Sequence, residues 1–311
     1  MSTALEVRNV TRAFGGFKAV DDISFAVGSG EICGFIGPNG AGKTTTMRIC
    51  ATLDLPDSGE VLIDGRSVLE SPRWARTQLG FMPDAYGAYA YTTVADYLDF
   101  FARAYELGSG RQKTIDRLVE FTSLGNMLGK YMTALSKGMR QRLCLAKTLL
   151  SDPTILILDE PAAGLDPRAR IELRELVKAL AEMDKAVLIS SHILAELGEM
   201  CDSVVIIEEG RIRAHGSVAS ITAGIARDMT HVFVRALLDP EVLERALLEQ
   251  PGVHTSRVDR GGVAFSFDGD DAALAQLVRA LVQREIPLIE VTPEGVDLED
   301  VFLSLTEGRV Q

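Results

Sequence analysis

The chain has 311 residues, of which 47% are hydrophobic and 24% are charged, and its formal net charge is −12. This composition is typical of folded globular proteins, which excludes wholesale disorder, and the length favours about two domains. The acidic balance argues against a sequence-independent nucleic-acid binder and against attachment to anionic lipid by charge alone.

No run of the sequence approaches the ~18 consecutive apolar residues that a membrane-spanning helix needs. The first ten residues, MSTALEVRNV, lack the basic and apolar regions of a signal peptide. The four cysteines are scattered and form no CxxC pair. We therefore expect reduced, buried thiols, and neither a zinc site nor a disulfide framework.

A change in charge divides the chain near residue 220. Residues 1–220 carry 28 acidic and 24 basic residues, whereas residues 221–311 carry 16 acidic residues, eight arginines and no lysine. The run 208–217 (EEGRIRAHGS) has a turn-like composition, and a short helix over 218–226 would serve as a linker. We therefore predict two domains, 1–220 and 221–311.

Three short apolar strands are predicted in the first domain, at 31–36, 154–158 and 186–189. Apolar runs of this length, bounded by chain breakers, are typical of a buried parallel sheet. Each run leads into polar residues, and the carboxyl ends of parallel strands are where open α/β sheets bind ligands. The first domain is therefore predicted to be of the α/β class, with its site at these strand ends.

A glycine-rich loop follows the first of these strands. It matches GxxxxGK[ST] at every fixed position and precedes a predicted helix over 43–51. Its N–H groups would bind nucleotide phosphates, Lys43 would reach the β- and γ-phosphates, and the Thr44 hydroxyl would bind Mg²⁺. The predicted nucleotide contacts are Gly37, Pro38, Asn39, Gly40, Ala41, Gly42, Lys43, Thr44 and Thr45. A dinucleotide fingerprint is excluded, because Thr45 stands where its third glycine belongs.

Two acidic residues follow the second strand. An acid at a strand end beside a phosphate loop can hold Mg²⁺, and we assign this role to Asp159. Glu160 can then orient an attacking water, which favours hydrolysis over simple phosphate transfer to another substrate. Alone, the pair would be interpreted as a solvated turn. Behind a buried strand in a nucleotide-binding chain, it predicts a hydrolytic site.

Residues 85–150 are predicted to form a helical subdomain outside the sheet, with amphipathic helices over 94–104 and 114–122. The subdomain contains all six tyrosines of the chain: Tyr86, Tyr89, Tyr91, Tyr97, Tyr105 and Tyr131. Two interpretations of these rings stay open. They form a docking surface, since aromatic residues are enriched at interface centres, or they pack in the core of the subdomain itself.

The second domain is predicted to follow the order strand, helix, strand, strand, helix, strand. The expected ranges are 231–236, 240–249, 253–258, 263–267, 271–284 and 288–291. This order is typical of a small α+β sandwich of ferredoxin-like type, and a further helix over 298–305 would close it.

Taken together, the motifs resemble those of the ATPases of ABC transporters. Residues 135–142 (LSKGMRQR) are similar to the family's signature sequence, usually LSGGQ. The run 163–166 and the Ser191-His192 pair complete five elements in the family's order. The resemblance covers about residues 4–220 and implies a P-loop NTPase fold. The second domain, chiefly through 297–303, resembles the C-terminal extension of export ATPases.

The resemblance also implies roles for single residues. Phe14 stands where the family stacks an aromatic ring on adenine, although core packing is the alternative interpretation of this ring. His192 stands where the family contacts the γ-phosphate, and it joins Lys43 and Glu160 as an expected catalytic residue. Asp166 stands where the family links two sites across a dimer.

Three positions depart from the family pattern. Asp84 stands where the family usually has a Gln that reaches Mg²⁺ and the attacking water, and we keep it as a metal-site residue. Lys137 and Met139 replace the usual Gly and Gln of the signature.

The expected contacts of the signature come from its helix N-terminus. Ser136 can cap the helix that follows, and Gly138 lets the backbone approach a ligand. The resemblance implies that these groups serve the γ-phosphate of a second ATP-binding subunit, so that two chains bind two ATP molecules head to tail. A homodimer is expected, and a heterodimer with a different ATP-binding chain stays open.

Two functions are therefore compatible with the sequence. The first is the ATP-binding and ATP-hydrolysing subunit of an ABC exporter, with ATP and Mg²⁺ as cofactors. It would have a separate polytopic membrane-spanning partner and a position on the cytoplasmic face of the membrane. The second is a soluble ABC ATPase that acts as an assembly or regulatory factor. No nucleic-acid partner is expected.

Overall fold

The computed structural model describes residues 2–84, 87, 89–191, 193–226 and 230–294. The chain separates into two compact units, of which the first ends at Ser217 and the second begins at Val218. Within the described ranges, no helix is long and apolar enough to cross a bilayer. His192 and the helix expected over 298–305 lie outside the described residues.

The described part of the first unit contains ten strands. They are β1 (Thr3–Phe14), β2 (Phe17–Gly28), β3 (Ile32–Ile36), β4 (Ser58–Ile63), β5 (Arg66–Ser67), β6 (Leu79–Met82), β7 (Ile155–Leu158), β8 (Ala186–Ser191), β9 (Ser203–Glu208) and β10 (Arg211–Ser217). One sheet has the order β2-β1-β4-β5 and is antiparallel. The other has the order β10-β9-β3-β8-β7-β6, and only its β9–β10 pair is antiparallel.

The central strands of the six-stranded sheet are apolar on both faces. Every residue of β3 and of β7 is buried, as expected for parallel strands covered on both sides. Their register places Ile36 opposite Ser191, and it places Leu158 opposite both Ile189 and Met82. The carboxyl ends of β3, β6, β7 and β8 therefore meet at one edge of the sheet.

Seven α-helices lie among the described residues of the first unit. They are α1 (Lys43–Cys50), α2 (Pro72–Gln78), α3 (Val94–Ala104), α4 (Arg111–Phe121), α5 (Lys137–Leu149), α6 (Pro167–Glu182) and α7 (Leu194–Gly198). Helix α3 begins with a capping box in which Thr93 accepts from the Asp96 amide and the Asp96 carboxylate accepts in return. Its buried face consists of apolar and aromatic side chains at helical spacing.

The turn-like interpretation of 208–217 is wrong for most of that run. Only Glu209 and Gly210 form a turn, with positive φ at both residues. From Arg211 the chain continues as β10 and pairs with β9. Exposure alternates along β10, with the more exposed residue at every second position, which is the period of an edge strand.

All four cysteines are free and buried. Burial raises the pKa of the Cys33 thiol and of the Cys50 thiol to about 12, and it raises the pKa of the Cys144 thiol to about 11. Burial also raises the pKa of Cys201 well above its ordinary value. These thiols are therefore protonated at neutral pH and act as small apolar side chains.

In the second unit, residues 218–226 and 230–294 are described, and they form three helices and four strands. They are α8 (Val218–Ala226), β11 (Thr230–Ala236), α9 (Pro240–Leu248), β12 (Val253–Asp259), β13 (Gly262–Phe267), α10 (Asp271–Gln283) and β14 (Leu288–Glu294). The strand order is β12-β13-β11-β14 with antiparallel pairs, which confirms the ferredoxin-like prediction. Alternate residues of β11 and β13 pack against leucines of α9 and α10 to form the core.

Candidate nucleotide site

The phosphate loop is fixed at its two ends and open at its tip. A Cβ on Gly37 would lie 2.3 Å from the Ile207 carbonyl oxygen, and a Cβ on Gly42 would lie 2.4 Å from that of Ala19. Gly42 also has a φ of 107°, which disfavours any other residue there. In contrast, the tip at 38–40 is exposed, so its backbone is accessible to a ligand.

Lys43 begins α1 and lies inside the loop, with 7% of its surface exposed. Its Nζ donates to the carbonyl oxygens of Gly37 at 2.7 Å and Pro38 at 3.2 Å, and it lies 3.8 Å from Oε1 of Glu160. Burial lowers the pKa of the Lys43 ammonium, while the charges of Glu160 and Asp159 act in the opposite direction. The loop thus holds a positive charge close to both acids.

Asp159 follows β7 and is 1% exposed. Burial raises the pKa of its carboxyl, hydrogen bonds from Ser190 and Thr44 lower it, and the charges of Asp84 and Glu160 raise it. The structure therefore brings Thr44, Asp84 and Asp159 together, which are the three residues predicted for the metal site. Asp84 itself is exposed and follows β6.

Ser190 connects the two acids, and no sequence motif assigns it this position. Its hydroxyl donates to Oδ1 of Asp159 at 2.7 Å and accepts from the Glu160 amide at 2.8 Å. Glu160 has a φ of 49°, which is uncommon for a residue with a side chain. The fully buried Ser190 therefore fixes both a side chain and a strained backbone. The sequence hints at this role of Ser190 only by placing a hydroxyl residue at the end of a predicted strand. That strand is β8, which pairs with β7 in the structure.

The signature segment begins α5, and its first residues have clear structural roles. Ser136 caps the helix by accepting from the Met139 amide at 3.3 Å. A Cβ on Gly138 would lie 2.9 Å from Cβ of Ala169, so α5 and α6 pack closely at this glycine. Lys137 extends toward the loop between β7 and α6, with Nζ 2.6 Å from the position that a Cβ on Gly164 would occupy.

Gln141 ties the signature helix to the loop behind the acids. It is 1% exposed, and its Nε2 donates to the Pro161 carbonyl at 2.6 Å. At the other end of this loop, Asp166 caps α6 by accepting from the Ala169 amide at 3.0 Å. The loop that begins at Glu160 is therefore held by both helices.

Phe14 lies at the end of β1, before a tight turn to Phe17. It is 47% exposed, so the structure does not support the core-packing interpretation of this ring. The turn belongs to the same hairpin as Ala19, which contacts Gly42 of the phosphate loop. The exposed ring is thus carried by a hairpin that reaches the loop.

No group of three or more His, Cys, Asp or Glu side chains suited to a metal ion occurs in the described part of the chain. Mg²⁺ needs fewer protein ligands, because phosphate and water oxygens complete its octahedral shell. The Thr44 hydroxyl and the Asp159 carboxylate are hard oxygen donors of the kind that Mg²⁺ prefers. The donor set therefore fits Mg²⁺ bound together with a nucleotide.

The profile of the ABC transporter family matches residues 20–163. The chain is 35% identical to the uncharacterized ABC transporter ATP-binding protein YhcH of Bacillus subtilis, over 98% of this chain and 97% of that protein. This chain belongs to the ATP-binding subunits of ABC transporters. It therefore binds ATP and hydrolyses it.

Further comparisons agree with this assignment. The ABC ATPase is 34% identical to a Nod factor export ATP-binding protein I of Paraburkholderia xenovorans, over 99% of this chain and 98% of that protein. It is 33% identical to the bacitracin transport ATP-binding protein BcrA of Bacillus licheniformis, over 99% of both chains. A solved ATP-binding subunit of an ABC transporter superposes with a TM-score of 0.65 at 31% identity, over 72% of this chain and 93% of that one.

Proposed function

We propose that this ABC ATPase energises export, with two copies closing on ATP and Mg²⁺ and passing that closure to a separate membrane-spanning partner. Residues 1–220 would form the nucleotide-binding domain and 221–311 an accessory domain. The observation that carries the proposal is the convergence of Lys43, Asp159, Glu160 and Ser190 at the edge where the parallel strands end. The name of the Nod factor export relative supports the direction of transport, and the name of the bacitracin transport relative supports a role in transport.

Hydrolysis at this site depends on position and charge. The loop amides and Lys43 would bind the β- and γ-phosphates and stabilise the charge that develops during transfer to water. Glu160, held through its amide by Ser190, would orient the attacking water, with His192 at the γ-phosphate. Thr44 and Asp159 would hold Mg²⁺, which when bound neutralises phosphate charge.

Asp84 would add a third oxygen donor for the metal. Replacing Asp84 with Gln removes a negative charge next to Asp159, so the Mg²⁺ concentration at half-maximal turnover should rise by about tenfold, which is the change expected for about 1.4 kcal/mol. Turnover measured against Mg²⁺ at saturating ATP tests this. An unchanged Mg²⁺ profile would remove Asp84 from the metal site.

The proposed dimer makes a simple kinetic prediction. If each site takes Ser136 and Gly138 of the signature, together with Asp166, from a second copy, the turnover per chain must fall as the chain is diluted. ATPase rates over a wide range of protein concentrations, with the dimer fraction measured in parallel, test this. Full turnover by a strictly monomeric chain would contradict the shared site.

An aromatic surface on the helical subdomain supports a protein partner. Of the described tyrosines, Tyr97 alone is buried. The aromatic surface consists of exposed side chains, namely Tyr89, Tyr91, Phe100, Tyr105 and Tyr131. These exposed rings adjoin more buried ones, since the half-buried Phe101 ring lies 4.8 Å from the buried Tyr97 ring and 5.1 Å from the Phe100 ring, centroid to centroid. Exposed rings on a firm base suit an interface centre.

The partner test compares two exposed apolar residues. Phe100→Glu places a charge in the aromatic surface, and Val282→Glu places one on α10, where the side chain is 57% exposed. We expect the native chain and Val282→Glu, but not Phe100→Glu, to co-purify from detergent extracts with a polytopic membrane protein. Capture of a soluble partner that fully stimulates turnover would instead support an assembly or regulatory factor.

The same extracts test where the protein works. We propose a position on the cytoplasmic face of the membrane, reached through the partner. Membrane fractions should lose the chain when the partner is deleted, whereas direct attachment to lipid would leave it bound.

A further inference from the structure

We propose that Arg12 is a positioning residue for the nucleotide base, because it backs the Phe14 ring from one side and leaves the other side for adenine. This inference rests on the proposed function, and within it on the adenine-stacking role that the family resemblance implies for Phe14. It adds a residue that belongs to none of the motifs of the chain.

The contact between the two side chains is direct. The Arg12 guanidinium carbon lies 4.7 Å from the centroid of the Phe14 ring, which is within the range of a cation–π interaction. Phe14 is nevertheless 47% exposed, so much of the ring stays accessible. With one face covered by a cation, a planar base can stack only on the opposite face.

Two carboxylates hold the guanidinium in this position. Nη1 of Arg12 lies 2.8 Å from Oδ1 of Asp57, and Nη2 lies 3.0 Å from Oδ1 of Asp54. The other oxygen of Asp57 accepts from the Ala13 amide at 2.7 Å, between Arg12 and Phe14 in the chain. A planar guanidinium held by two carboxylates keeps a fixed orientation, which a lysine could not reproduce.

The ion pairs of Arg12 with Asp54 and Asp57 also connect the Phe14 ring to the phosphate loop. The Asp54 amide donates to the Arg48 carbonyl at the end of α1, the helix whose first residue is Lys43. Arg12 is therefore tied, through Asp54, to the far end of the helix that begins in the phosphate loop. This arrangement fixes the distance between the base platform and the phosphates before a nucleotide binds, which lowers the entropy cost of ordering the ring.

The test separates base binding from phosphate binding. Arg12→Gln should weaken MgATP and MgADP binding by about 3- to 10-fold, the size expected for a lost cation–π contact. Magnesium tripolyphosphate, which has no base, should bind equally well to the variant and the native chain. The KM for ATP should rise by the same factor while kcat at saturating ATP stays unchanged, and Arg12→Lys should recover only part of the affinity.

Two control experiments show whether the effect of Arg12→Gln is specific to the Phe14 ring. Arg8→Gln is the matched control, because Arg8 lies on the same strand and pairs with Glu6 at 2.7 Å and with Glu60 at 3.5 Å. It should leave all three affinities unchanged. In a Phe14→Ala background, Arg12→Gln should cause no further loss, since the cation acts through the ring.

The outcomes distinguish the two levels of the proposal. Provided that the native chain binds ATP, three results would refute the role of Arg12. The Arg12→Gln variant could bind ATP as tightly as the native chain, or it could lose affinity for tripolyphosphate by the same factor as for ATP. The third result is an equal loss of ATP affinity when Arg12→Gln is introduced into the Phe14→Ala variant. If Phe14→Ala leaves the native affinity for ATP unchanged, the stacking role of Phe14 fails as well. If the native chain binds no ATP at all, the proposed function itself falls.

Discussion

The first unit buries ionisable groups where its parallel strands end, whereas the core of the second unit is built from apolar side chains. Lys43 and Asp159 are both less than 10% exposed, and the shifted pKa of each is due first to burial. In the second unit, the core cluster of β11, β13, α9 and α10 is apolar, and no described Asp, Glu, Lys or Arg there is buried, although the side chains of His231, Gln250 and Ser266 are. Because buried charge is costly, its retention in one unit marks where the chemistry takes place.

The largest expected effect comes from Glu160. Glu160→Gln keeps the size of the side chain but removes the carboxylate that would orient water, so turnover should fall by about 10³-fold. ATP binding should persist, and an ATP-bound dimer should accumulate, which size-exclusion chromatography with ATP would detect. Glu182→Gln, on the exposed end of α6, is the control with native turnover. Normal turnover of Glu160→Gln would refute the role.

Asp159→Asn should separate activity from stability. Turnover should fall by about 10²- to 10³-fold, because a charged metal ligand is lost. In the nucleotide-free chain, the free energy of unfolding should rise by about 1 kcal/mol, and Tm by about 2–4 °C. The reason is that the substitution removes a buried charge, while Ser190 can still donate to the oxygen of the new amide.

The pH dependence of this gain has a definite sign. Burial raises the pKa of Asp159 in the folded chain above its value in the unfolded chain. The contribution of this carboxyl to folding stability is therefore fully present below the unfolded-state pKa, where the group is protonated. It is lost as the pH rises through the folded-state pKa, because the buried group then becomes charged. The Tm difference between variant and native chain should therefore be smallest in acid and should grow as the pH rises through the folded-state pKa of Asp159. If Asp159→Asn were less stable than the native chain at pH 7, the inference that burying the charged Asp159 carboxylate destabilises the fold would be wrong.

Ser190→Ala should have an intermediate effect. It leaves the Glu160 amide and the Asp159 carboxylate without their shared partner, at a cost of about 1–3 kcal/mol in stability. We expect kcat to fall by about 10- to 100-fold and the KM for ATP to change less than twofold, since the phosphate loop is untouched. Ser203→Ala, at another buried serine that bonds Glu31, should lose stability and keep its kcat. A kcat equally reduced in both variants would mean a general packing defect.

The smallest effect on turnover is expected in the second unit. Leu243 is 1% exposed in its core, so Leu243→Ala should lower the stability of that unit by about 2–4 kcal/mol. Turnover per folded chain should stay within twofold of native. Unfolding followed by a tryptophan-independent probe such as circular dichroism, together with ATPase rates, tests this. A tenfold loss of turnover would break the contrast between the two units.

Most elements of the fold follow from local sequence patterns. The bounds of α3 agree with the prediction, and those of the second unit agree within a few residues. Helix α4 begins at Arg111, three residues before its predicted start, because Arg111–Lys113 are good helix formers that lie before the apolar repeat. The antiparallel sheet is harder to detect, since β1 pairs with β2 through four register shifts that interrupt the alternation of apolar residues.

The residues of the site also differ in how well a local sequence pattern predicts them. Contiguous motifs identify the phosphate loop and the acidic pair, because the chemistry needs those residues at fixed spacing. The bonds from Ser190 to Asp159, from Gln141 to Pro161 and from Arg12 to Asp54 join residues 31, 20 and 42 positions apart. Such pairs depend on which strands and helices become neighbours, and no local pattern specifies this.

The burial of all four cysteines makes the protein a convenient subject for spectroscopy. Thiols whose pKa lies near 11 or 12 react slowly with maleimides at neutral pH. A single cysteine introduced on the surface can therefore be labelled selectively in the otherwise native chain. Paired fluorophores or spin labels would then follow the approach of two copies during the ATP cycle, without first removing the natural cysteines.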